Sequence, residues 1–176
     1  MDIMGERIYL RKMKIEDTDQ VIAWRNAPHV MEQFIYRTPL TRETHLEWIR
    51  TKVDTGKVQQ FIICIKENDR GIGSFYLRDI DLKMRTAELG IFIGEQDALG
   101  KGYGTEAVRL GVSYGFRELH LERIILRVYQ DNINAVRNYE KNGFVLMKDR
   151  TETVERDGCS RTVIFMQKEK EASHDL

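Results

Sequence analysis

Proline and cysteine are both scarce, two of each in 176 residues. With only Pro28 and Pro39, and no stretch rich in proline or serine, nothing marks a linker, and the length fits one domain with a full hydrophobic core. Cys64 sits in the apolar run FIICI and Cys159 beside the turn-like RDG, so unpaired thiols are expected rather than a disulfide. The histidines (His29, His45, His120, His174) stand at no metal-ligand spacing with them. Net charge is missing too, since 28 basic residues balance 28 acidic ones. That removes the electrostatic argument for nucleic acid or an anionic membrane as partner, a local basic patch aside. No apolar run approaches the roughly 20 residues of a membrane span, and the opening MDIMGERIYLRK has no apolar signal core. A cytoplasmic enzyme or binding domain is the expectation.

What is present alternates clearly. RIYLRKM (7–13) reads as a strand, and KIEDTDQVIAWRNAP (14–28) as a helix capped at Asp17 or Thr18, apolar at Val21, Ile22 and Trp24, and ended by Pro28. LTRETHLEWIRTKV (40–53) reads as a second helix with Thr41 as cap and Thr44 in the usual glutamate place. QQFIICIKE (59–67) and IGSFYLRDI (72–80) read as a hairpin, and RTAELGIFIG (85–94) as a strand interrupted by Gly90. A helix over about 104–118, the strand RIILRVY, a helix NINAVRNYEKNG ended by Gly143, and a last hairpin follow. The charged tail 169–176 is expected to fray. This order predicts a mixed sheet with helices on both faces, with 85–151 forming its parallel part.

The stretch DALGKGYGTEAVRLGVSYGF (97–116) sets Gly100, Gly102 and Gly104 at alternate positions and runs at once into an amphipathic segment. Glycines permit positive φ and close approach of a ligand to the backbone. A helix start offers unpaired amides and the positive end of a dipole, which suits a pyrophosphate, although a tight structural loop uses the same residues. Lys101 adds a point charge there or is simply solvated. Two other phosphate loops fail. A P-loop needs Gly-Lys-Ser/Thr, and the dinucleotide fingerprint needs two residues between its second and third glycines.

LGKGYGTEAV resembles the acetyl-CoA loop of the GNAT N-acetyltransferases, usually Arg/Gln-x-x-Gly-x-Gly/Ala. DNINAVRNYEKNGF is similar to that family's Asn-x-x-Ala/Ser…Tyr-x-x-x-Gly-Phe segment, at the right separation of one helix and one strand. The resemblance implies a single α/β domain, mixed α+β, over 1–176. Its central sheet would have about seven strands, mostly antiparallel and splayed in the middle. An acetyl-CoA-binding core would lie at 85–145 and acceptor-side helices at 14–55. Acetyl-CoA is the implied co-substrate. The amides of Gly100, Lys101, Gly102, Tyr103, Gly104 and Thr105 would hold its diphosphate, with Leu99 standing where the family has Arg or Gln. The backbone of Ile91, Phe92 and Ile93 would hold the pantetheine arm and the thioester oxygen. Asn132, which also suits a helix cap, and more weakly Asn134 would bond the arm. Arg137, Asn138 and Lys141 would run near the adenine and ribose phosphate, or be solvated. Tyr139 is the implied general acid, against a plain core tyrosine. Glu88 is the implied base, direct or through water, against a salt bridge to Arg85 or another cation.

Trp24, Phe34, Tyr36 and Trp48 crowd the first third, part core and part pocket. Trp24, Arg25, Asn26, Phe34 and Tyr36 are the expected acceptor contacts. WRN followed by HLEWI resembles the branch holding the ribosomal-protein alanine, spermidine and nucleotide-activated amino-sugar N-acetyltransferases, with a lean toward the amino-sugar enzymes. The acceptor is then a small-molecule or peptide amine. A polyamine enzyme needs several acceptor-side carboxylates, and Glu16, Asp17, Asp19, Glu32, Glu43 and Glu47 are scattered. A homodimer paired near the C-terminal hairpin is expected. The reading from another class is a catalytically silent acyl-CoA-binding sensor or scaffold of the same fold.

Overall fold

The structure, a computed structural model, describes residues 1–172. One mixed sheet carries it, built from β1 (Ile3–Met4), β2 (Ile8–Lys12), β3 (Gln59–Ile65), β4 (Gly71–Asp81), β5 (Thr86–Ile93), β6 (Arg123–Tyr129), β7 (Val145–Arg156) and β8 (Cys159–Glu169). Their spatial order is β1-β2-β3-β4-β5-β6-β8-β7. The count is eight rather than about seven, because two residues ahead of the first expected strand pair back onto it as β1. Every pairing is antiparallel except that of β5 with β6.

The expected parallel part is shorter than 85–151. β8 inserts between β6 and β7, so β7 ends as an edge strand. The side chains decide this. TVIFM of β8 buries Val163, Ile164, Phe165 and Met166, whereas KDRTE of β7 is almost wholly exposed. An apolar strand gains most in the interior of a sheet, and a charged one suits an edge.

Among the described residues five α-helices cover the sheet. On one face lie α1 (Thr18–Asn26), α2 (Pro28–Met31) and α3 (Arg42–Trp48), the last continuing as a π-helical turn over Ile49–Val53. Val21, Trp24, Val30 and Ile49 pack there on Ile62, Cys64 and Phe92. On the other face α4 (Tyr103–Arg117) and α5 (Ile133–Lys141) pack Ala107, Val108, Val112, Phe116 and Tyr139 against Phe61, Phe75 and Leu126. Successive residues of β3 serve opposite faces, which explains its unbroken apolar run. Thr41 caps α3, accepting from the Thr44 amide at 3.2 Å, while Thr44 Oγ1 accepts from the Thr41 amide at 3.0 Å. Pro28 does more than end a helix, since it occupies the first turn of α2, where a missing N–H costs nothing. Cys64 is buried, Cys159 is exposed, and both are unpaired. Of the expected frayed tail, Glu169 closes β8 and Lys170 N donates to Glu122 O at 2.9 Å, whereas 173–176 lie outside the described residues. Among the described residues no helix is long and apolar enough to cross a membrane.

Gly90 does not interrupt its strand. The β4–β5 ladder runs straight through Tyr76↔Gly90, and the discontinuity lies on the other side. There β5 meets β6 only at Thr86↔Arg123, Ala87↔Ile124 and Glu88↔Ile125. Beyond Glu88 the two strands part, and the sheet opens in its middle.

Candidate active site

The parted strands floor a cleft of about 700 Å³, within the range of small-molecule sites. One rim of it is the turn into α4. Gly100 and Gly102 hold φ of 71° and 81°, values that favour glycine. Gly102 is the N-cap of α4 and brings no capping side chain. Among the described residues no acceptor meets the amides of 100–105. A Cβ at Gly100 would meet open space, and one at Gly104 would have Asn138 Nδ2 as nearest neighbour at 3.5 Å. Free amides, a helix start and open room together fit a diphosphate.

A brace behind this turn leaves no mark in the glycine pattern. Glu106 of α4 is 6% exposed, and its Oε1 accepts from the amides of Glu6 at 2.7 Å and Arg7 at 2.9 Å. Burial alone would raise its carboxyl, but the amides of Arg7, Ile8 and Glu6 and the Arg7 charge outweigh this and hold it below the ordinary value. Arg7 then reaches past Glu106, stacks 4.9 Å from the Tyr103 ring centroid and donates from Nη1 to Lys101 O at 2.7 Å. In a trans peptide the carbonyl and the following N–H point opposite ways. Holding Lys101 O from behind therefore aims the Gly102 amide forward. The one signal in the sequence is an acid at 106 on the inward, apolar side of α4, beside Ala107 and Val108.

Tyr139 of α5 lines the cleft and packs edge-on to Phe144, 6.0 Å between centroids. Tyr139 is 7% exposed and belongs to the main core cluster, and no group among the described residues hydrogen-bonds its hydroxyl. Burial, and then neighbouring Tyr76, push this hydroxyl above the usual tyrosine value and keep it protonated. Tyr76 lies over Gly90, where an added Cβ would fall 2.2 Å from the ring. Gly90→Ala is expected to cost about 1–3 kcal/mol through overpacking, measurable as a lower denaturant midpoint.

Glu88 faces the cleft from β5. Its Oε1 accepts from Arg78 Nη2 and from Arg127 Nε, each at 2.9 Å, so its partners are these two and not Arg85. Arg85 instead bonds His120 O and pairs with Glu122. Glu88 Oε2 has no partner among the described residues.

The remaining expectations divide. Ile91, Phe92, Ile93, Leu99, Tyr103 and Thr105 line the cleft. Asn132, Asn134, Asn138 and Lys141 line it from α5 and its approach, and Asn132 also caps α5, accepting from Ala135 N at 3.4 Å. The side chains of Lys101 and Arg137 are exposed and do not line it. Phe34 and Tyr36 also line the cleft. Trp24, Arg25 and Asn26 do not. Trp24 is 4% exposed, packs in the second core cluster and donates to Glu95 Oε1 at 2.9 Å. Both polar atoms of the Asn26 amide are spent on the Leu40 backbone at 2.8 Å. Arg25 lies behind Phe34, its guanidinium 3.4 Å from the ring centroid. A segment spacing cannot tell such a clamp from a ligand contact. Residues not foreseen are Tyr76, Arg78, Arg127 and His29, whose Nε2 lies 3.2 Å from Ile93 O on the open side of β5.

A family model described as acetyltransferase (GNAT) domain matches residues 7–145. The chain belongs to this family of acetyltransferases. It is 31% identical over 149 residues to an uncharacterized N-acetyltransferase, p20, of Bacillus licheniformis, covering 80% of this chain and 83% of the relative. A probable N-acetyltransferase of Bacillus subtilis, YjcK, is likewise 31% identical over 150 residues, 81% of this chain and 82% of the relative. In fold it resembles the Vibrio cholerae spermidine N-acetyltransferase solved with CoA and spermine, with TM-score 0.84, 23% identity, and 94% and 96% of the two chains covered.

Proposed function

We propose that the cleft between β5 and β6 transfers an acetyl group from acetyl-CoA to a primary amine in one ternary complex. The observation that supports this most is the row of partnerless amides at 100–105, set beside the open edge of β5 and the unpaired Tyr139 hydroxyl. An acyl-CoA supplies an activated thioester carbonyl and an anionic diphosphate when bound. The 100–105 amides and the positive end of α4 receive the diphosphate, with Lys101 adding charge at the rim and Leu99 adding no polar group. Asn132 and Asn134 bond the pantetheine arm, and Asn138 and Lys141 lie toward the ribose phosphate, with Arg137 exposed outside the cleft lining. The backbone of Ile91 and Ile93, which faces the open side of β5, positions the arm and polarises the thioester carbonyl, while that of Phe92 is turned to β4.

An alkyl amine with a pKa near 10 is protonated at neutral pH, so a proton must leave before attack. Glu88 Oε2 takes it, directly or through water. The amine nitrogen then bonds the carbonyl carbon, the carbon–sulfur bond breaks, Tyr139 gives its hydroxyl proton to the departing sulfur, and the second proton shed by the nitrogen, relayed through water, restores the Tyr139 hydroxyl. The acceptor is an amino-sugar nucleotide, a protein N-terminal amine or a polyamine, held between Phe34 and Tyr36. Two copies pair along the exposed edge of β7.

The experiment is incubation with acetyl-CoA and spermidine, a nucleotide-linked amino sugar or an Ala- or Ser-starting peptide, recording free thiol. Amine-dependent thiol release is expected with at least one. Coenzyme binding without release from any of them would favour a silent acyl-CoA sensor.

A further inference from the structure

The acceptor end of the cleft carries a charge of unexpected sign. Among the described residues Glu88 is the sole carboxylate lining the cleft, and two guanidiniums, Arg78 and Arg127, share it. The Arg127 side chain is only 15% exposed, so its charge is poorly hydrated. Asp79 stands 3.7 Å from Arg78 but is 76% exposed, and screening weakens its hold. Arg25, behind Phe34, donates to Tyr36 O at 2.8 Å, with no carboxylate paired to it among the described residues.

Arg78 also walls a second cavity of about 510 Å³, which Lys52 and Lys57 line. Of its two carboxylates, Asp79 is the one already at Arg78, and Asp81 Oδ1 accepts from the Lys83 and Met84 amides at 2.9 Å. The carboxylates that a polycation would need lie elsewhere. Asp17 is bonded to Arg11, Asp19 to Arg42 and Glu47 to Arg50, and none lines the cleft.

A poorly hydrated guanidinium with an incomplete partner calls for an anion, and its planar fork matches carboxylate and phosphate oxygens. A polyamine would instead bring further positive charge against these arginines. We propose that the acceptor is an amine bearing its own anionic group, a carboxylate or a phosphate, received by Arg127 and Arg78 while the amine meets the open Oε2 of Glu88. This rests on the acetyltransferase reading above.

The test uses acetyl-CoA, recorded thiol release and matched acceptors at fixed ionic strength. A free amino sugar is compared with its nucleotide-diphosphate-linked form, alaninamide with alanine, and spermidine with all four. The anionic member of at least one pair is expected to show kcat/KM about tenfold or more above its neutral partner and above spermidine. The pair that responds says whether phosphate or carboxylate is recognised. Arg127→Gln should bring that ratio near one, and Arg127→Lys should keep part of it if Arg127→Gln folds poorly. Ratios near or below one, or a preference for spermidine, overturn the proposal and leave the acetyltransferase intact. Thiol release from no acceptor, with acetyl-CoA bound, overturns the underlying reading and this proposal with it.

Discussion

Tyr139→Phe is expected to lower kcat by about 10²- to 10⁴-fold, the usual worth of a positioned acid, at nearly unchanged coenzyme affinity. The selectivity of the loss follows from the surroundings of the ring. Its apolar part packs on Phe144 and is retained by phenylalanine. Its hydroxyl bonds no group among the described residues, so removal orphans nothing, and stability should stay within about 0.5 kcal/mol of the parent. Burial and then Tyr76 hold the hydroxyl above its usual range, so the parent should show no alkaline loss from Tyr139 deprotonation below about pH 10. Steady-state kinetics with calorimetric coenzyme titration decide the matter. Near-full turnover in the variant removes Tyr139 from the mechanism.

Glu88 invites a weaker but distinct comparison. Glu88→Gln keeps an oxygen for one guanidinium and loses the proton acceptor, so its activity should depend more steeply on pH than the parent's, rising as the amine itself deprotonates. A flat ratio of variant to parent across pH would leave Glu88 as an ion-pair partner of Arg78 and Arg127 and nothing more.

Much of this was legible in the chain because local patterns and tertiary demands agree over β3, α4 and α5. FIIC is apolar at every position since both faces of β3 are covered, and Gly-x-Gly-x-Gly ahead of an amphipathic run says where backbone must stay open. What escaped was long-range. Asn26 and Leu40 are 14 residues apart, so nothing local shows that the Asn26 amide is already occupied. Arg78 and Arg127 reach Glu88 from strands on either side of β5, and only the sheet order brings them together. The place of β8 inside β7 was readable after all, from four consecutive buried apolar residues against a charged run, but the hairpin alone gives no order.

The second large effect is structural and is felt at the glycine turn into α4. Glu106→Ala should cost about 3 kcal/mol, because it leaves the part-buried amides of Glu6 and Arg7 and the buried amide of Ile8 without their acceptor. In a domain of this size that lowers Tm by about 6–12 °C. Glu106→Gln keeps the Oε1 acceptor and should cost clearly less. Because the folded carboxyl sits below its unfolded value, its stabilisation is fully present above the unfolded pKa of about 4.3 and is lost as pH falls through the folded value. The Glu106→Gln chain should therefore lack part of the parent's acid destabilisation. Arg7→Ala separates the two functions of the brace. Arg7 is half exposed and its ion pair contributes little stability, yet its bond to Lys101 O orients the Gly102 amide. It should weaken acetyl-CoA binding several-fold with Tm nearly unchanged, and equal affinity in variant and parent would show that the turn holds its shape without it.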